Sequence, residues 1–179
     1  MAPDKRIWTV GHSNRDPSDF LGLLDGAGVE QIADVRRFPG SRRQPHFGAD
    51  ALREALAERG IAYVHLPALG GRRGAPADDS PNTGWRVASF GAYADHMATE
   101  AFRGGLEQLE RAALERRTAM MCSEAVPWRC HRRLVADALV VRGWEVLDVV
   151  APGRVAPHAL TDFARVCDGA LTYPPDGAP

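Results

Sequence analysis

The sequence predicts a single α/β domain: a mostly parallel central sheet of about five strands, flanked by helices. Three observations carry this expectation. Short apolar segments alternate with amphipathic ones of helical spacing, most helical segments carry their own start or stop residues, and a polar motif follows each of the first four strands. At 179 residues the chain is long enough to bury a core without covalent or metal staples.

Arg6 to Val10 reads as the first strand, and Asp16-Pro17 supplies an N-cap and first turn for a helix reaching about Leu24. Val29 to Val35 is the second strand. Ala49 to Glu58 is a helix closed by Gly60, and Ile61 to Leu66 is the third strand. This βαβαβ order requires parallel pairing with crossover connections. Leu69 to Trp85, rich in Gly, Pro, Asp and Arg, reads as a long functional loop. A helix follows from about Ser89 to Arg116, with a break expected at Gly104-Gly105. Thr118 to Met121 is the fourth strand, Cys130 to Val141 a helix with Pro127 in its first turn, and Trp144 to Val150 the fifth strand. Pro157 to Val166 reads as a short terminal helix, and the Gly/Pro-rich tail after Asp168 is expected to fray. No repeat or domain boundary interrupts 1–179, whose core spans about 5–167.

The formal net charge of −1 gives no global attraction to nucleic acid or anionic membrane, so anion binding must come from local clusters. Lys5 is the single lysine among 22 Lys and Arg, and arginine suits bidentate recognition of phosphate. Three cysteines, an odd number, and the lack of a leader pattern predict a reducing, cytoplasmic setting. No apolar run is long enough to span a bilayer, so no membrane partner is expected. The four tryptophans do not interleave with basic residues, which leaves nucleic-acid binding without support beyond the 36–43 loop, and oligomeric state is not legible.

The densest chemistry lies in Met120 to Arg133, which holds Cys122, Glu124, Cys130, His131 and three arginines where a strand hands over to a helix. His12-Ser13-Asn14, Asp34-Val35-Arg36 with Ser41-Arg42, and Gly70-Gly71 follow the first three strands. In a parallel sheet all these carboxyl ends share one edge, the edge where ligands bind.

Gly11-His12-Ser13, Asp34-Val35-Arg36 with Pro39 and Ser41-Arg42, Leu69-Gly70-Gly71, Phe90 with Tyr93-Ala94-Asp95 and Met97, and Cys122-Ser123-Glu124 with Cys130-His131-Arg132 form a spaced set. It resembles the DUF488 family, a group named for its unknown function, nearly end to end. The resemblance implies a compact α/β domain and marks these residues as a shared site. It implies no reaction.

The residues themselves point to an enzyme acting on a small phosphorylated or nucleotide-like anion in an Arg-rich cleft. Arg36, Arg42 and Arg132 would hold the anion together with Ser13, Asp34, Ser41, Gly70 and Gly71. His12 or Glu124 would move protons, and Cys122 would be a nucleophile or a passive wall. A Cys-phosphatase loop fits less well, because Arg129 follows Cys122 by one position too many and Glu124 would oppose the anion. Glu124 is either a base or half of a buried pair with an arginine. Two alternatives remain: a non-catalytic module sensing a nucleotide or nucleic acid, and a Cys/His/Glu metal or Cys122–Cys130 redox site. A metal is not expected, because Cys130 and His131 would project about 100° apart on a helix and three nearby arginines would repel a cation. No cofactor is expected. His46, His65, His96 and His158 read as solvated or structural.

Overall fold

Six strands form the central sheet in the order β3-β2-β4-β1-β5-β6. They are β1 (Arg6–Gly11), β2 (Gln31–Asp34), β3 (Ala62–His65), β4 (Thr118–Cys122), β5 (Glu145–Ala151) and β6 (Arg154–Pro157). This is a computed structural model that describes residues 4–40 and 42–176. The first five strands pair in parallel, and β6 returns antiparallel along β5. β4 is buried throughout, as its run Thr-Ala-Met-Met-Cys requires of a strand covered on both faces.

Side chains alternate between two apolar cores. Trp8, Val10, Ile32, Ala119 and Met121 face α1 (Pro17–Ala27) and α2 (Ala49–Ala57). Ile7, Ala33, Met120 and Val146 belong to the opposite core. It also takes Tyr93 of α3 (Ala88–His96), Leu106 and Leu109 of α4 (Glu100–Glu115), and Leu134 and Val135 of α5 (Arg132–Val141). The connection from β2 leads outward to β3, whereas that from β4 leads the other way, past β1 to β5. Such a divergence opens a crevice at the strands' carboxyl ends. Among the described residues, no helix is long and apolar enough to cross a membrane.

Four expectations need correction. The helical stretch after residue 88 divides at Met97–Thr99, not at Gly104-Gly105. Thr99 caps α4 by accepting a hydrogen bond from Phe102 N, and both glycines lie inside that helix. The final helix does not form: Arg154–Pro157 is a sixth strand, and β7 (Arg165–Cys167) pairs with β8 (Ala170–Thr172) around Asp168-Gly169, both at positive φ. The tail beyond is tethered, since Tyr173 is fully buried and donates to Asp137 Oδ2 at 2.9 Å. α5 starts two residues later than expected, after a 3-10 turn at Pro127–Arg129 and an extended Cys130.

Residues 70–87 carry no helix or strand. Asp95 of α3 gathers them by accepting from Ala77 N at 2.9 Å and Asn82 Nδ2 at 2.8 Å, and from Ser80 Oγ. Asn82 in turn accepts from Tyr173 N at 2.9 Å.

A buried polar chain crosses the molecule behind the sheet edge. Arg132, fully buried, donates to the Glu124 and Ala125 carbonyls and to Thr9 Oγ1, which donates to Asp148 at 2.7 Å. His158 lies between Asp148 and Asp137, with each ring nitrogen 3.0 Å from a carboxylate oxygen. Carboxylates only accept, so both nitrogens carry protons. Burial opposes that charge, but the hydrogen bonds and charges of Asp137 and Asp148 outweigh it and raise His158 to about 9.

Candidate functional site

The ends of β1, β2 and β4 are level: Gly11 pairs with Cys122, and Asp34 with Met121. The ladder runs on past the strands, with His12 N donating to Cys122 O at 3.1 Å, Ser13 N to Ser123 O at 2.8 Å, and Val35 N to Met121 O at 3.0 Å. Gly11 permits this closeness, since a Cβ there would stand 1.6 Å from the Glu124 carbonyl oxygen. Above these ends lies a cavity of about 410 Å³. His12, Cys122, Cys130 and His131 form its sulfur and imidazole side, and Arg36, Arg37, Arg72 and Arg129 supply guanidiniums around it.

His131 is held by its far side. Nε2 lies 3.1 Å from the Val35 carbonyl, which can only accept, so Nε2 carries a proton and Nδ1 is turned toward the sulfurs. Nδ1 lies 3.8 Å from Cys122 Sγ and 3.7 Å from Cys130 Sγ. The hydrogen bond from Cys130, then the charge and hydrogen bond of His131 and the charge of Arg132, hold the Cys122 thiol well below its ordinary value despite burial. Burial, followed by the hydrogen bond to Cys122, pushes Cys130 well up. The two thiols therefore titrate as a pair and not as independent groups.

His12 is oriented in the same manner. Its Nδ1 donates to Ser13 O at 2.8 Å, its Nε2 accepts from Arg36 Nη1 at 3.3 Å, and its ring stacks on Phe47 at 4.3 Å. Burial lowers its pKa, so it is a neutral wall with both nitrogens engaged.

The sequence-predicted residues divide into three groups. His12, Arg36, Gly71, Cys122 and Glu124 line the cavity. Glu124 is exposed, and its carboxylate has no ion-pair or hydrogen-bond partner among the described residues. It is therefore not half of a buried pair. Others act behind the wall: Asp34 is fully buried, takes Arg36 Nε at 2.9 Å and Nη2 at 2.7 Å, and accepts from Tyr63 at 2.7 Å. Arg36 Nη1 also donates to Phe47 O, so that guanidinium has little left for a ligand. Gly70 lets the chain pass Arg37, whose backbone N would lie 2.5 Å from a Cβ, and Ser13, at φ 51°, turns the chain after β1.

Arg132 is the main departure, because its guanidinium is spent on backbone carbonyls and Thr9 and it does not line the cavity. Arg42 is exposed and also lies off the lining, and Ser41 falls outside the described residues. The arginines that do reach the space are Arg37, Arg72 and Arg129. Arg37 spends one donor on Arg72 O, while the guanidiniums of Arg72 and Arg129 have no protein partner among the described residues. Phe38, 63% exposed, and Phe90 add apolar surface. The signals for these groups were present: Arg37 adjoins the Asp-Val-Arg motif, Arg72 follows the glycine pair, and Phe90, Tyr93 and His131 belong to the spaced set quoted above.

Cys122 Sγ, Cys130 Sγ and His131 Nδ1 lie within 4.8 Å of one another, a spacing that one metal ion can bridge. The adjacency of Cys130 and His131 does not prevent this, since both precede α5 and need not diverge as helical neighbours do.

No curated protein and no solved structure matches the chain. A family model described as a domain of unknown function, DUF488, matches residues 16–139, which include the Asp34–Arg36 motif, the Gly70-Gly71 turn and all three members of the sulfur–imidazole cluster. That span is more than half of the sequence, and the chain belongs to the DUF488 family.

Proposed function

We propose that this protein is an enzyme acting on a small phosphorylated or nucleotide-like anion bound in the cavity at the carboxyl edge of the sheet. The observation that carries this reading is the donor inventory of the cavity. Among the described residues, Arg37, Arg72 and Arg129 retain free guanidinium N–H groups around a space whose one carboxylate is Glu124. Arginine forks of this kind match phosphate oxygens in pairs. Phe38 and Phe90 offer a face against which a base or sugar packs. The sulfur–imidazole group of Cys122 and His131 is the reactive floor, and Glu124 takes up or delivers a proton or grips a hydroxyl. A binding module would need the arginines alone; a base and a reactive sulfur beside them favour turnover.

Calorimetric titration with inorganic pyrophosphate and with adenosine monophosphate tests the reading. Arg72→Ala and Arg129→Ala are each expected to weaken binding roughly tenfold, the value of one charge-assisted hydrogen bond. Arg42→Ala, off the cavity, is expected to leave it unchanged. Failure of both ligands to bind at millimolar concentration would remove the proposal.

A further inference from the structure

We propose that Cys122, Cys130 and His131 form a three-ligand site for a divalent zinc-type ion, with its fourth coordination position open to the cavity. Tetrahedral zinc, with bonds of about 2.3 Å to sulfur and 2.0–2.1 Å to nitrogen, needs donor atoms about 3.5–3.8 Å apart. His131 Nδ1 lies 3.8 Å from one sulfur and 3.7 Å from the other, and all three donors fall within 4.8 Å. Movement of no more than about 1 Å would bring both sulfurs and the nitrogen to bonding distance of one ion.

The surroundings are those a metal ligand requires. A ligating histidine commonly donates its second N–H to a carbonyl, which fixes both tautomer and ring plane, and His131 Nε2 does so to Val35. Arg132 N lies 3.5 Å from Cys130 Sγ, a contact that steadies a thiolate. The donors are anchored independently. Cys122 is held in the β4 ladder, where its carbonyl accepts from His12 N, and Cys130 follows a 3-10 turn closed by its own N–H to Pro127 O. Burial of both sulfurs excludes competing water on the protein side, while all three residues line the cavity and leave one side open. Three protein ligands with an open position is the pattern of catalytic rather than structural zinc.

Charge is no obstacle. Two thiolates neutralise a divalent ion, so the centre as a whole does not repel the arginines. Of the three arginines first expected to crowd out a cation, Arg36 is paired with Asp34, Arg132 is turned onto carbonyls, and Arg42 lies off the cavity. Thiolate and imidazole donors select zinc over magnesium, calcium or manganese. At the open position, an oxygen of the arginine-held anion or a water would be polarised. That last step rests on the functional reading above; metal binding itself does not.

The 179-residue protein, reduced and stripped with a chelator, is titrated with Co²⁺ and then with Zn²⁺. The expected result is one equivalent of Co²⁺ bound, with the ligand-field bands of tetrahedral cobalt, a sulfur-to-cobalt charge-transfer band, and displacement of both by Zn²⁺. Cys122→Ser, Cys130→Ser and His131→Ala are each expected to lower affinity by roughly a hundredfold or more, whereas Cys167→Ser, at an exposed cysteine, leaves it intact. Circular dichroism of each variant separates ligand loss from unfolding, and the wild-type spectrum stands as a test even if a variant fails to fold. Absence of stoichiometric binding by the reduced wild type, or octahedral cobalt without sulfur charge transfer, would overturn the proposal. Pyrophosphate titration of the stripped protein distinguishes the two readings: anion binding without metal binding sinks the metal site and leaves the anion pocket standing.

Discussion

Replacing His158 with alanine is expected to cost about 3–5 kcal/mol at neutral pH, because it removes the shared partner of two carboxylates and leaves Asp137 and Asp148 facing each other. For a chain of this length that corresponds to a fall in Tm of roughly 10 °C. The effect has a pH signature. The folded pKa, about 9, lies above the ordinary value of 6.5. Its stabilising contribution is therefore complete below 6.5 and disappears as pH rises through about 9. Wild type and His158→Ala melted below pH 6.5 should differ fully, and above about 9 the gap should narrow. A constant gap would show that His158 acts by packing alone. Thr161 and Tyr173 also donate to Asp137, so the same substitution should loosen the segment after β6 first, which limited proteolysis would detect.

Arg132→Met should be nearly as damaging, for a different reason. The substitution keeps much of the side-chain bulk but strands the carbonyls of Glu124 and Ala125, each at about 1–3 kcal/mol if left unpaired. Methionine avoids the desolvation of a buried guanidinium, so the net loss is about 2–4 kcal/mol. Urea denaturation should show a lower midpoint with an unchanged slope. Arg132→Lys should recover only part of it, since an ammonium does not reproduce the planar fork that spans two carbonyls and Thr9. A loss below 1 kcal/mol would mean that the 123–126 turn is held by other bonds. Because its guanidinium does not line the cavity, its effect on anion binding should follow the fraction folded.

The parallel sheet was legible because its strands are buried on both faces and appear as short apolar runs between punctuated helices; β4 is the plainest case. The C-terminal arm was not. β6 and β7 are exposed along their whole length, so no apolar period marks them. Polar side chains from distant positions, above all Asp137 and Asn82, hold the arm in place. The Asp168-Gly169 turn was a readable signal that the Gly/Pro-rich composition of the tail obscured. At the site, residue types told less than their neighbours did. Arg36 follows Asp34 by two positions at a strand end, where the guanidinium folds back onto the carboxylate, and only its distance from solvent separates that pair from a ligand clamp. Arg132, the first residue of α5, reads as a ligand clamp because sequence does not say which face of α5 meets the sheet. His131 was discounted through an assumed helix that begins one residue after it.

The bare backbone of Gly11 divides the cavity into parts of unlike origin. With the 124–125 peptide seated against the end of β1, the sulfur–imidazole floor inherits its alignment from the sheet, and shifting it would require moving a central strand. The rim has no such constraint: Arg37, Phe38, Arg72 and Arg129 sit outside the regular strands and α-helices, and their side chains reach inward from exposed loops. Under the proposed function, reactivity and selectivity thus reside in separable layers. Rim side chains are open to exchange for others that admit a differently shaped guest, while the chemistry beneath keeps its geometry.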